Sequence, residues 1–132
     1  QRIKTDIAEP PIEGLYQSEV DEIVSRLSDA VVQLEKSTDW ILESVTRDPR
    51  LPLAASFHYL MLWGVVAGGW QMERAARVAS CQIGKEPGME FYREKLLTVR
   101  CYARYVLPIC TSHAAAIQMG SELVNEFDRP SA

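Results

Sequence analysis

The sequence of 132 residues predicts an all-α fold, an antiparallel bundle of three long helices, on three observations. Apolar residues recur at steps of three and four, prolines and glycines gather at two joints, and no stretch alternates apolar and polar residues as a strand does. The alternative architecture is a four-helix up-and-down bundle in which Pro108 divides the last segment.

The length supports one domain with a real core, and 47% hydrophobic against 24% charged residues excludes a disordered or collagen-like chain. Residues 1–17 carry Pro10, Pro11 and Gly14 without a sustained period, so they are expected to be an extended linker from an upstream core. The helical domain is expected to occupy residues 18–128, leaving 129–132 as a tail.

The first helix follows from Val20, Ile23, Val24, Leu27, Ala30, Val31, Leu34, Ile41, Leu42 and Val45, with Asp21, Glu22, Arg26, Asp29 and Glu35 on its other faces. Ser18 is expected to cap it, and Asp21 and Glu22 place negative charge at the positive end of the helix dipole. Pro49 and Pro52 then force a tight reversal, because proline lacks the amide donor a helix interior needs.

From Leu53 to about Ile83 the chain is helix-compatible and apolar on nearly all sides as far as Arg74, which predicts the most buried element. Its apolar part resembles a membrane span in length, but Pro52, His58, Gln71 and three glycines favour a buried helix over a transmembrane segment. Gly64, Gly68 and Gly69 each cost a helix about 1 kcal/mol relative to alanine, and close approach by a neighbouring helix is the expected compensation. Gly84 is placed to cap the helix, and the turn follows at Lys85, Glu86, Pro87 and Gly88.

The third segment is read as one helix from about Met89 to Phe127, kinked at Pro108. At 100° per residue Tyr92, Val99, Val106, Cys110, His113, Ile117 and Val124 share a face, so the apolar stripe crosses the proline.

Little in this chain points to catalysis. A carboxylate-bridged metal site on helices needs Glu-x-x-His motifs, and neither His58 nor His113 has an acidic residue three positions before it. Cys110 and His113 alone are one pair short of a ligand set. Cys81, Cys101 and Cys110 cannot all pair within one chain and favour a reducing, cytoplasmic setting. No nucleophile stands beside an oriented base in any local signature, and the glycines do not follow a strand as a phosphate loop requires. No catalytic, cofactor-binding or metal-ligating residue is therefore expected.

Two surfaces remain. Tyr59, Trp63, Val66 and Trp70 form a stripe that serves either as bundle core, the favoured role, or as a face that docks on another domain. Residues 1–50 hold 6 basic and 11 acidic residues, whereas 51–132 hold 8 and 7. Within the second part Arg93, Arg100 and Arg104 share one helix face. That face is either simply solvated or a track for phosphates or an acidic partner domain. The net charge of −4 argues against nucleic acid as partner.

Taken in order, Ser37, Thr38, Asp39, Trp40, Ile41 and Leu42, then Asp48 and Pro49, then the run from Tyr59 through Trp70, then that from Phe91 through Arg100, then Val106, Leu107 and Pro108, form a series. It resembles the extra C-terminal helical domain of one branch of the acyl-CoA dehydrogenases, over about residues 20–127. In that branch a threonine-aspartate-tryptophan ends the first helix, the central helix is glycine-rich and the last carries a leucine-proline pair. Met72, Glu73, Cys101 and Tyr102 depart from the small or aromatic residues expected at those places.

The resemblance implies an enzyme that uses FAD to remove two hydrogens across the α,β bond of an acyl-CoA thioester, a glutamate taking the α proton and the flavin accepting hydride. It also implies that the flavin-binding segments and that glutamate lie upstream, so Glu73, Glu90, Glu94 and Glu122 are not candidates for the base. The expected role is an accessory domain that packs on the catalytic core, holds no cofactor itself, and contributes to the substrate-site wall or an oligomer contact. Under the resemblance Arg93, Arg100 and Arg104 become candidates for contact with the phosphates of CoA. The competing expectation is a stand-alone helical interaction module that binds through the Trp63 and Trp70 face.

Overall fold

The computed structural model describes residues 2–7, 16–83, 89–120 and 126. Among these residues the fold is all-α, as expected. A short helix α1 (Arg2–Ile7) precedes two long ones, α2 (Gln17–Arg47) and α3 (Arg50–Gln82). The third rod comprises α4 (Met89–Cys101), a π-helical turn (Tyr102–Val106) and α5 (Ile109–Gln118). Helix α3 packs against α2, α4 and α5, and α2 also packs against α5, so three rods surround one core.

That core is built from Ile23 and Leu27 of α2, Leu62 and Val66 of α3, Val99 of α4, and Cys110 and Ile117 of α5, all enclosed. Burying each of the larger aliphatic side chains contributes roughly 1.5–3 kcal/mol, which is the main term holding the rods together. In α2 the enclosed positions follow the sequence stripe as far as Leu34 and then pass through Ser37 and Ser44, both wholly buried. Leu42 and Val45, expected inside, face solvent. The stripe continues in steps of three and four, and those steps land on serines there. Ser44 satisfies its hydroxyl by donating to the Ile41 carbonyl at 2.8 Å.

The reversal between α2 and α3 is as tight as the prolines require. Pro49 caps α3, and Asp48 accepts hydrogen bonds from the Arg50 amide at 2.9 Å and from the Arg50 guanidinium at 2.9 and 3.1 Å. The guanidinium bond, then the amide bond, hold the Asp48 carboxyl below its usual range. Pro52 is accommodated because it lies in the first turn, where no intrahelical donor is needed.

The chain passes Pro108 through a two-residue turn, Leu107 and Pro108, between the π-helical turn and α5, and the pitch changes there. Before the proline the turn widens, the Leu107 amide donating to the Tyr102 carbonyl five residues back at 3.0 Å. After it the turn tightens, with Cys110 donating to Leu107 and Thr111 to Pro108. A proline ring clashes with the carbonyl four residues earlier, here that of Arg104, and a widened turn relieves this contact. The extra residue puts Ala103 and Leu107 inside, while Val106, expected there, is only half-buried.

Four expectations need correction. Residues Arg2–Ile7 are helical rather than extended, because Ile3 and Ile7 lie one turn apart and pack on the core. The rest of the proposed linker, residues 8–15, lies outside the described residues. Ser18 does not cap α2, which begins at Gln17 after Tyr16; the Ser18 hydroxyl donates to Glu19 instead. The last helix stops at Gln118 rather than near Phe127, since Gly120 adopts a left-handed φ of 73° that terminates it. Finally, α3 is central but not enclosed. Only 17% of its most apolar window is buried, although the helix is by length and composition apolar enough to cross a membrane. Three rods around one core leave each of them an outer face, and on α3 that face is apolar. Gly84, Pro87, Gly88 and Val124 fall outside the described residues.

Candidate functional site

The most organised polar cluster lies where α1 lies on α3. Helix α1 presents Asp6, whose carboxylate accepts a hydrogen bond from the Trp70 indole at 2.7 Å. Arg2 and Arg74 lie over the faces of the same indole, 6.0 and 5.7 Å from its centroid, as cations near an aromatic ring do. Lys4 adds an ion pair to Glu35 of α2.

One turn further along α3, Glu73 is completely buried and paired with Arg77 at the i, i+4 spacing that brings two helical side chains together. One Glu73 oxygen, Oε2, has no hydrogen-bond partner. Helices α1, α3 and α4 border a cleft of about 690 Å³ beside this pair, with Phe91 and Tyr92 on its far wall and Arg74 and Lys95 among its cations.

The other candidates are dispersed. Arg104 is a tie between rods: its guanidinium grips Glu22 of α2 at 2.8 and 3.0 Å. Arg93 is exposed and Arg100 half-buried, so the expected track of three is reduced to two guanidinium groups facing outward on α4. The Arg104 bond is the main reason the Glu22 carboxyl sits below its usual value of 4.5. A depressed carboxylate stabilises the fold above that value, and the contribution is lost as pH falls through the lowered one. Arg104→Ala is therefore expected to lower stability at neutral pH and to match the parent at acid pH below the Glu22 transition, checked by urea melts across that range.

Tyr59, Trp63 and Trp70 do not act together. Tyr59 bonds Thr38 of α2 at 2.9 Å and Trp70 bonds Asp6, whereas Trp63 is 43% exposed. His58 of α3 and His113 of α5 face each other with Nδ1 atoms 3.1 Å apart, and among the described residues no three metal-ligating side chains converge. Cys81 and Cys101 are exposed free thiols. Cys110 is enclosed, and burial pushes its thiol up to about 11, so it is an inert core residue. Glu90 and Glu94 are exposed, and Glu122 lies outside the described residues.

Sequence reading missed the role of Asp6 entirely, because its partner is 64 positions away. The Glu73 and Arg77 pair was missed as well, its i, i+4 spacing being the local signal that could have found it. What the cluster does chemically is anchor: a carboxylate paired with a guanidinium beside a short helix, with no nucleophile beside a base among the described residues.

A family model described as acetyl-CoA dehydrogenase C-terminal like matches residues 1–128. The chain is 31% identical over 103 residues to 3-methylmercaptopropionyl-CoA dehydrogenase of Ruegeria pomeroyi, a match that covers 77% of this chain and 18% of that enzyme. The chain thus spans about a fifth of the length of that relative. No solved structure matches.

Proposed function

Because the chain belongs to the C-terminal domain family of the acyl-CoA dehydrogenases, we propose that it is the accessory helical domain of an FAD-dependent enzyme of that class. That enzyme removes two hydrogens across the α,β bond of an acyl-CoA thioester, and this domain packs on the catalytic core without being catalytic itself. The observation that carries the proposal is the family match over nearly the whole chain, joined to a relative of which it represents 18%.

The described residues do not fit FAD. The glycines best suited to admit a pyrophosphate are interior to α3: Gly68 and Gly69 are closed off by Tyr102, Leu27 and Leu107, and Gly64 faces open space with no cradle around it among the described residues. The flavin is therefore assigned to other segments of the enzyme. Arg93 and Arg100 remain candidates for contact with CoA phosphates or the core; Arg104 is occupied by Glu22. A reducing cytoplasmic location is proposed from the free thiols.

Absorbance tests the proposal. The 132-residue chain purified alone is expected to be colourless and inactive on acyl-CoA, while the intact enzyme is yellow and active. Flavin bound by the isolated chain, or an intact protein without flavin, overturns it. The stand-alone interaction module survives as a second reading because α3 exposes an apolar face; an intact protein lacking dehydrogenase activity would favour it.

A further inference from the structure

The three glycines of α3 have different surroundings. A Cβ on Gly68 would meet the Tyr102 hydroxyl at 2.2 Å, and one on Gly69 would meet Leu107 at 2.8 Å and Leu27 at 3.0 Å. Both are explained by close approach within the bundle. A Cβ on Gly64 meets nothing within 4 Å. Its cost to the helix has no compensation among the described residues.

Gly64 is also surrounded by the wrong side chains for a solvated face. Leu53, Phe57, Leu60 and Met61 precede it at helical spacing, and they are 74, 62, 71 and 41% exposed. Ala67 extends the strip by another turn at half exposure. Such a contiguous apolar strip marks an interaction surface, and a residue without a side chain towards its C-terminal end, between Met61 and Ala67, is the notch into which a ridge of another helix fits.

We propose that this strip of α3, Leu53, Phe57, Leu60 and Met61 followed by Gly64, docks the apolar face of a helix in the flavin-bearing part of the same enzyme. The inference rests on the functional reading above, and what selects this occupant is length. The chain corresponds to 18% of the related dehydrogenase, so in an enzyme of that kind some four-fifths of the polypeptide lies outside this domain and needs a place to pack. The docking face therefore lies on the outer side of α3, away from Tyr59 and Trp70, which are turned towards α2 and α1.

Hydroxyl-radical footprinting of the intact flavoenzyme against the 132-residue chain tests it. Phe57 and Met61 are expected to react at least about threefold more slowly in the intact enzyme, with Met119, which is 75% exposed at the far end of α5, as reference. Equal reactivity in a protein that binds flavin overturns the docking face and leaves the functional reading intact; absence of flavin overturns that reading instead. Protection already present in the chain alone, by self-association in sedimentation or by binding to phosphatidylcholine vesicles, overturns the choice of occupant.

Gly64→Ala supplies a second readout with opposite signs. In the isolated chain it is expected to raise the melting midpoint by roughly 2–5 °C, since open space lets the helix gain. In the intact enzyme it fills the notch, and release of the domain by limited proteolysis is expected to accelerate. If the isolated chain does not fold, the proteolysis comparison alone decides, and an unchanged rate overturns the proposal.

Discussion

Arg77→Met is expected to destabilise the protein by about 3 kcal/mol, near the lower end of the range for removing one partner of a buried ion pair. For a chain of this size that corresponds to a fall of roughly 10 °C in the melting midpoint. The reason is an asymmetry between the partners. Glu73 is wholly enclosed, whereas the Arg77 side chain is 14% exposed. Without Arg77 the carboxylate is left unpaired in the interior, with its second oxygen already lacking a hydrogen bond. Without Glu73 the guanidinium can turn towards the cleft and water, so Glu73→Gln is expected to cost only about 1 kcal/mol. The double variant Glu73→Leu with Arg77→Leu, which leaves no buried charge, should recover most of the stability lost by Arg77→Met. A double-mutant cycle by urea denaturation checks this. Equal effects of the two single substitutions would show that the pair is not the enclosed anchor its geometry implies.

This pair also marks where sequence reasoning stops. Periodicity in α2 was sufficient to place Val20, Ile23, Leu27, Ala30 and Leu34, because a one-sided stripe has only one face to bury. The joint at Pro49 and Pro52 was equally legible, since proline's missing amide and fixed φ act locally. In α3 the same method had no purchase. That helix is apolar on both its inner and outer faces, and hydrophobicity alone cannot say that Leu62 is enclosed while Leu60 is 71% exposed.

The candidate site depended on distance in the chain. Asp6 meets Trp70, Arg104 meets Glu22, and Tyr59 meets Thr38 across separations of 64, 82 and 21 residues, which no local pattern encodes. Helix α1 was illegible for a further reason: six residues are too few for a period, and Pro10 and Pro11 drew the whole segment towards an extended expectation. The glycines were half legible. Their clustering pointed to close approach, but which of them is approached from within the bundle depends on the register of α4 and the π-helical turn against α3.

Gly69→Val is expected to lower stability by about 3 kcal/mol, the upper range for overpacking a well-filled core. A Cβ at this position stands 2.8 Å from Leu107 Cδ2 and 3.0 Å from Leu27 Cδ1, where carbon atoms settle at about 3.5–4.0 Å. Valine then adds two methyl groups with one preferred rotamer in a helix, so neither leucine can move aside without displacing its own rod. Gly69→Ala should be close to neutral. The gain of about 1 kcal/mol in helix propensity opposes the shift of two leucine ends. Gly68→Ala is a different case, because the Tyr102 hydroxyl that a Cβ displaces donates to the Val65 carbonyl at 2.9 Å, and that bond ties the π-helical turn to α3. Thermal melts should therefore rank Gly64→Ala above the parent and Gly69→Val well below it. Leu107→Ala should be less damaging in the Gly69→Val background than in the parent, because the cavity it leaves is the space the valine needs. Additive effects of those two substitutions would mean that Leu107 is not what closes on Gly69, and that another contact sets the approach of the third rod.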